Sequence, residues 1–182
     1  MENIELLDDN LLRDDGNLVI ESLTPTNFVI LGIVTFGIYP FWWMYKMWVF
    51  FKDREMTNIM PAARAIFAIF YMYRLFEKIQ AFASKKGFNS NYSSEGLFAI
   101  WIVLNLVSRL PDPYWLLSLL SAFVFIRPLE AFNNAIENSE SHILEIKSGF
   151  NKKQWGLLIV FGLFLILVIF AMFVPDEYLV DY

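Results

Sequence analysis

The sequence predicts an all-α, polytopic helical membrane protein with four or five membrane helices, including a short Pro-Asp-Pro hairpin. Hydrophobic residues make up 57% of the 182 residues and charged residues only 18%, against roughly 45–50% and about 25% in soluble proteins. Apolar runs of helical length recur along the chain, and no extended run alternates apolar and polar residues as a half-buried strand does. A soluble domain of this size would expose apolar patches that aggregate or bind a partner.

The composition divides the chain into three parts. Residues 1–27 form an acidic N-terminal tail, in which seven acidic residues stand against Arg13 alone. Residues 28–174 form a single helical membrane domain, and residues 175–182 form an acidic C-terminal tail. Within the membrane domain we expect helices at about 28–51, 60–83, 96–110, 114–138 and 155–174.

The first membrane segment, residues 28–51, follows a Thr-Pro-Thr-Asn sequence that supplies a helix N-cap. Gly37 and Pro40 interrupt its apolar run. Because Pro40 lacks an N–H and its ring clashes with the preceding turn, a kink is expected near Phe36. Two interpretations stay open: a kinked span, which is preferred, and a helix that breaks at residues 37–40 and turns along the membrane surface.

The segment 60–83 carries four charges at Arg64, Arg74, Glu77 and Lys78. It fits an amphipathic helix that lies in the membrane interface. It also fits a spanning helix whose charges face a protein or water interior. The interfacial interpretation is preferred because it leaves twelve of the fourteen Lys and Arg residues in segments 46–95 and 127–154, on one side of the membrane. Positive charge is retained in the cytoplasm, so both acidic tails are expected outside. A broken first helix would instead put the N-terminal tail inside.

The segments 96–110 and 114–127 form the predicted hairpin around Pro111-Asp112-Pro113. Each limb is about 20 Å long as an α-helix, which is short for ~30 Å of hydrocarbon. Asn105 and Ser108 are polar residues at membrane depth in the first limb. Hydrogen bonding between helices is the simpler explanation for them, and a polar stripe that lines a conduit is the sharper one.

The last segment, residues 155–174, contains twenty residues without a charge, and Lys152 and Lys153 precede it. A basic and aromatic anchor at the end of such a run is typical of a membrane span.

No catalytic or cofactor-binding pattern is present in the sequence. There is no cysteine and only one histidine, His142, so a zinc site is not expected. No nucleophile elbow, phosphate-binding loop or dinucleotide fingerprint occurs. Nucleic-acid binding is not expected either, since no basic stripe is free of apolar segments. The chain is therefore predicted to be non-enzymatic, with no cofactor and no metal.

The stretch from Thr35 to Trp43 follows the pattern T-x-G-I-Y-x-x-x-W, and Tyr45-Lys46 comes next. This stretch and the sequence Asn-Asn-Ala-Ile-Glu-Asn at 133–138 resemble an uncharacterised family of small bacterial multi-pass membrane proteins, a domain of unknown function. In that family the motif opens the first membrane segment. Pro40 makes the kink here stronger than the family leads one to expect. The resemblance implies a multi-pass protein of the bacterial inner (cytoplasmic) membrane and supplies no known activity.

The function expected from the sequence is association in the membrane, as a scaffold, an anchor or a subunit of a larger assembly. The expected partners are the lipid bilayer and other membrane protein subunits or further copies of the chain. The alternative is a channel or transporter with a polar path near Arg64, Arg74 and Asn105.

Overall fold

The computed structural model describes residues 11–14, 17–139, 142–147 and 149–172. Over these ranges the elements follow in the order β1 (Leu11–Asp14), β2 (Asn17–Leu23), α1 (Pro25–Val34), α2 (Ile38–Glu55), α3 (Pro61–Ile66), α4 (Ala68–Lys85), α5 (Ser94–Val107), a 3-10 helix (Tyr114–Phe125), α6 (Ile126–Glu137), β3 (His142–Lys147) and α7 (Lys152–Met172). The chain is predominantly helical, as predicted. The predicted tail residues 1–10 and 175–182 lie outside the described residues.

Two helices in the described ranges are long and apolar enough to cross a membrane, fewer than the four or five predicted. They are the continuous helix Tyr114–Glu137, which joins the 3-10 helix to α6, and α7. Helices α1 and α5 are apolar but contain only 10 and 14 residues, about 15 and 21 Å of α-helix. The predicted helix at 60–83 is divided into α3 and α4, and neither of them is long and apolar enough to cross a membrane.

The first segment is two helices rather than the single kinked helix predicted over 28–51. Helix α1 ends at Val34, and α2 begins at Ile38. The ring centroids of Phe28 in α1 and Trp43 in α2 lie 5.6 Å apart. Fifteen residues of straight α-helix would separate them by about 22 Å. Helix α2 therefore folds back along α1, and the two form a helical hairpin.

A three-stranded sheet is an addition that the sequence analysis did not predict. Strand β2 lies in the middle, antiparallel to β1 and parallel to β3. Leu18 is opposite His142, and Leu23 is opposite Lys147. Residues 17–23 of the predicted acidic tail thus lie beside the segment that precedes α7. This pairing contradicts the expectation that the N-terminal tail lies on the opposite side of the membrane from residues 127–154.

The core lies where α2, α4 and α6 meet. The rings of Phe50, Phe82 and Phe132, one from each helix, form a cluster in which the Phe50 and Phe132 centroids are 5.1 Å apart. Helices α4 and α6 are amphipathic and turn their apolar faces toward this core. Their buried apolar residues are Ala68, Met72, Leu75, Phe76, Ile79, Phe82 and Ala83 in α4 and Leu129, Ala131, Phe132, Ala135 and Ile136 in α6. Burial against protein, rather than against lipid, explains the periodicity of α4.

Apolar side chains remain exposed elsewhere in the described structure. None of the residues of α7 is buried, although the helix is apolar all round from Trp155 onward. The α3–α4 junction also exposes large apolar side chains, among them Ile66 and Phe70 at 75% and 71% exposure. Surface of this kind fits a lipid environment or a protein partner.

Candidate functional site

The turn between α1 and α2 has a distinctive backbone conformation and specific side-chain hydrogen bonds. Phe36 and Gly37 both have positive φ, 52° and 85°, a conformation that favours glycine. The buried Thr35 hydroxyl donates a hydrogen bond to the carbonyl of Leu31 (2.6 Å) and accepts one from the backbone N–H of Tyr39 (3.0 Å). The Thr35 hydroxyl therefore gives a second donor to the Leu31 carbonyl, which also accepts from the Thr35 backbone N–H at 3.0 Å, and satisfies the N–H of Tyr39 at the start of α2.

The α1–α2 hairpin packs against the 3-10 helix and α7 through Gly32 and Phe36. A Cβ on Gly32 would lie 2.8 Å from Cβ of Ala122 and 3.3 Å from Pro40, so α1 approaches the 3-10 helix closely because Gly32 has no side chain. The ring of Phe36 stacks on Trp115 at 6.3 Å and meets Phe164 of α7 edge to face at 5.7 Å. The hairpin thus lies between the 3-10 helix and α7.

Tyr39 connects the same hairpin to the beginning of α7. Its hydroxyl accepts a hydrogen bond from Nε2 of Gln154 at 3.2 Å, and its ring meets Phe28 edge to face at 5.6 Å. Gln154 and Asn151 also exchange side-chain to backbone hydrogen bonds at 2.9 and 2.8 Å. This reciprocal arrangement is a capping box, which explains why α7 begins at Lys152, three residues before the predicted start.

A cavity of about 60 Å³ lies beside the turn, where α5 and the 3-10 helix meet it. Gly37 lines one side, Trp101 another, and three polar side chains contribute to the wall: Asn105, Ser118 and Ser121. Space of this volume accommodates a few water molecules. Asn105, which the sequence places at membrane depth, and two serines of the second limb therefore line one small cavity.

The winding of the 3-10 helix explains which of its residues reach the cavity. Side chains three residues apart are eclipsed in a 3-10 helix, so the segment 114–125 presents three straight rows. The exposed row contains only large apolar side chains: Tyr114, Leu117, Leu120 and Phe123. A second row carries Ser118 and Ser121 to the cavity. The third row also brings Leu119 and Phe125 to the cavity, and its buried residues Ala122 and Phe125 pack on α1.

Asn105 and Ser108 bond mainly within their own helix. The Asn105 side chain donates to the carbonyl of Trp101 at 2.8 Å, and the Ser108 hydroxyl donates to the carbonyl of Asn105 at 2.6 Å. Asn105 lines the cavity, whereas Ser108 does not. The hydrogen bonds between helices that the sequence suggested for this pair are not among those of the described residues.

Arg64 contacts two aromatic rings from two other helices. Its Cζ lies 4.5 Å from the ring centroid of Trp48 in α2 and 5.3 Å from that of Tyr71 in α4. Trp48 is completely buried, and its ring meets Tyr71 edge to face at 6.4 Å. Arg64 and Tyr71 share a face at a seven-residue spacing in the sequence, but Trp48 lies in another helix and no local pattern pointed to it.

The other charged candidates lie apart from Arg64. Arg74 is exposed on α4. The Glu77 carboxylate accepts a hydrogen bond from the Tyr73 hydroxyl at 2.6 Å, which is the main reason that the pKa of Tyr73 is raised to about 12. Lys78 donates to Glu55 of α2 at 2.6 Å. The Lys78–Glu55 contact joins α4 to α2, whereas the Tyr73–Glu77 bond lies within α4. Neither Arg64 nor Arg74 lines the cavity that Asn105 lines.

Metal-binding side chains do not cluster in the ranges that the structure describes. No group of three or more His, Asp or Glu residues is placed to hold a metal ion there. His142, the one histidine of the sequence, belongs to β3.

A family model described as a domain of unknown function, DUF4234, matches residues 24–58 of the chain. The matched region begins at the Thr24 N-cap and contains α1, the turn and α2, so it coincides with the helical hairpin. No curated protein and no solved structure matches the chain. The match agrees with an uncharacterised family, and it covers the part of the molecule in which the Thr35, Gly37 and Tyr39 contacts occur.

Proposed function

We propose that the chain is a non-enzymatic integral membrane protein that acts by association, as a scaffold, an anchor or a subunit of a membrane assembly. The observation that carries this proposal is the exposure of α7. From Trp155 onward the helix is apolar all round, and none of its 21 residues is buried. An isolated helix of this kind needs lipid or another protein around it.

The contacts within the chain support one arrangement in the bilayer. Helix α7 spans it, and the limbs α5 and 3-10 enter it as a hairpin. The α1–α2 hairpin enters the bilayer from the same side as the α5 hairpin and turns back at Thr35–Gly37. The β2–β3 pairing puts the N-terminal strands on the side where α4 and α6 pack together.

The charge distribution supports the orientation of this arrangement. Arg13 joins the twelve bases of residues 46–95 and 127–154 on one side, so thirteen of the fourteen Lys and Arg residues lie together and only Arg109 is left at the hairpin tip. By the positive-inside rule this side is cytoplasmic. The bacterial inner membrane, which the family resemblance implies, is the proposed location.

The spacing on α7 supports a protein partner in addition to lipid. The partly covered positions face α1 and include Leu158, Phe161 and Leu165. The opposite face repeats at three- and four-residue intervals through Gly156, Val160, Leu163, Leu167 and Phe170. Nothing lies within 4 Å of a Cβ placed on Gly156. An apolar seam with a small residue at one end is suited to close helix packing in a membrane.

Cysteine cross-linking in membranes tests this proposal, and the chain has no native cysteine to interfere. Single cysteines at Val160, Leu163 and Leu167 are expected to give disulfide-linked products, either dimers or adducts with a cysteine-bearing subunit. Cysteines at Leu158, Phe161 and Leu165 are the matched controls and should remain uncross-linked. Equal cross-linking at all six positions would indicate random collision. Its absence at all six, with a monomer in reconstituted bilayers, would contradict the association proposal.

A channel or transporter is the second proposal, and the cavity beside the α1–α2 turn favours it. Asn105, Ser118 and Ser121 converge there. The test is ion and small-solute flux into liposomes that contain the purified protein. Flux that is lost in Asn105→Leu and kept in Ser108→Ala would support a path through the cavity. The absence of flux in the wild-type protein would count against it.

A further inference from the structure

Arg64 contacts aromatic rings of both α2 and α4, and these contacts suggest a function beyond association. The Arg64 guanidinium contacts the rings of Trp48 and Tyr71, which meet edge to face at 87°, and the side chain remains partly exposed. These ring contacts position the group, and its N–H groups make no hydrogen bond among the described residues. An arginine carries five N–H donors in one plane.

No anionic group in the described chain occupies those donors. The ion pairs there are Lys78 with Glu55 and Arg127 with Glu130, and Arg64 takes part in neither. From Met56 to Phe76 the sequence contains Arg64 and Arg74 and no acidic residue. The guanidinium is therefore a positioned cation with no anionic partner among the described residues.

The surroundings of Arg64 indicate what kind of anion fits there. Large apolar side chains next to Arg64 are exposed rather than packed: Met60, Ile66, Phe67, Ile69 and Phe70. Such side chains favour the acyl region of a bilayer, and a cation beside them lies at the level of the headgroups. The anion present at that level is the lipid phosphate.

We propose that Arg64 binds the phosphate group of a membrane lipid, with its guanidinium donating two parallel hydrogen bonds to the phosphate oxygens. Arginine suits this role because its planar fork matches phosphate and stacks on aromatic rings, whereas a lysine ammonium does neither. The inference rests on the membrane location proposed above. It does not depend on whether the protein associates with itself or with other subunits.

Native mass spectrometry of the full-length protein, released from detergent micelles, tests the site by lipid titration. The probes are phosphatidylglycerol and a galactosyl diacylglycerol with the same acyl chains, which lacks the phosphate. Arg64→Gln removes the charge, Arg64→Lys keeps the charge without the fork, and Arg74→Gln is the matched control on the exposed face of α4. Flotation with liposomes is measured for each variant, so a failure of membrane insertion is distinguished from a loss of lipid selectivity.

The expected result is a loss of about tenfold in phosphatidylglycerol affinity for Arg64→Gln, which corresponds to one charge-assisted interaction. Arg74→Gln should remain within about twofold of wild type, and galactolipid binding should not change in any variant. An equal loss in both glutamine variants would overturn the site in favour of general charge attraction. Wild-type affinity in Arg64→Lys would overturn the bidentate geometry.

Inorganic phosphate distinguishes a lipid headgroup from a free anion. It is added as a competitor during the phosphatidylglycerol titration of the wild-type protein. If the lipid is retained, the acyl chains contribute to binding and the lipid assignment is supported. If free phosphate displaces the lipid and binds lipid-free protein in an Arg64-dependent manner, the assignment to a lipid is wrong.

Discussion

The Tyr39 hydroxyl accepts a hydrogen bond from Gln154 at 3.2 Å, which joins the second residue of α2 to the first turn of α7 across 115 positions of sequence. Removing it with Tyr39→Phe should lower the free energy of unfolding by about 1 kcal/mol. The measurement is SDS-induced unfolding of purified protein followed by circular dichroism. Tyr45→Phe is the control, because Tyr45 stacks on Trp42 and its hydroxyl makes no hydrogen bond among the described residues. Equal effects of the two substitutions would contradict the role of the bond.

Gly32 and Ala122 are predicted to be coupled. Gly32→Ala places a methyl group 2.8 Å from Cβ of Ala122, and overpacking of this kind costs about 1–3 kcal/mol. Ala122→Gly should recover most of that loss when it is combined with Gly32→Ala, and a double-mutant cycle on unfolding free energies measures the coupling. Strictly additive effects would mean that the two helices do not touch at this point.

Gly37 is predicted to be required for its backbone conformation alone. Its φ is 85°, and a Cβ there would meet no atom within 4 Å. Gly37→Ala should therefore destabilise the protein by about 1–2 kcal/mol through the left-handed backbone, with no clash. Gly149→Ala, at another open position where φ is not positive, should be neutral or slightly stabilising. The SDS unfolding midpoints of the two variants, compared with wild type, decide the matter. Insensitivity of Gly37→Ala would argue against the turn.

The sheet pairing predicts the sidedness of the N-terminal segment. Single cysteines at the exposed residues Thr26, Asn58 and Asn138 should react with an impermeant thiol reagent from one side of the membrane, and a cysteine at Asp112 should react from the other. Right-side-out and inside-out vesicles provide the two directions. Reaction of Thr26 together with Asp112 would show that the first segment crosses the membrane, contrary to the folded-back hairpin.

Local sequence signals predicted the elements whose causes are local. Thr24 caps α1 as expected, and the charge-free run of α7 is a helix long enough to span. The Asn151–Gln154 capping box was readable in principle, since an Asn followed three residues later by Gln before an apolar run is a typical start signal. The segment 60–83 was predicted either as an amphipathic helix in the membrane interface or as a span whose charges face a protein or water interior, whereas the apolar face of α4 packs on α2 and α6.

Features that depend on contacts between residues distant in the sequence could not be predicted from local sequence patterns. The segment was predicted either as a kinked span or as a helix that breaks at residues 37–40 and turns along the membrane surface, and neither interpretation included a reversal, because the proline rule concerns only the turn before Pro40. The contact of Phe28 with Trp43 shows the reversal, and it exists only in the three-dimensional structure. Strand β2 pairs with a strand more than a hundred residues away. The dipeptide Asp15-Gly16 between β1 and β2 is a common hairpin signal, and it was the one clue to the sheet in the sequence.

The 3-10 winding of residues 114–125 determines how deep the second limb of the α5 hairpin reaches. Twelve residues rise about 24 Å in this form and about 18 Å as an α-helix, so this limb is about 3 Å longer than the 14 residues of α5, whereas an α-helical limb would be about 3 Å shorter. A change to α-helical winding would shorten the limb by about 6 Å and rotate successive members of each row by about 60°. Ser118 and Ser121 would then no longer face the same direction. The winding of the helix therefore sets both the length of the limb and the direction in which Ser118 and Ser121 point, and neither can change without the other.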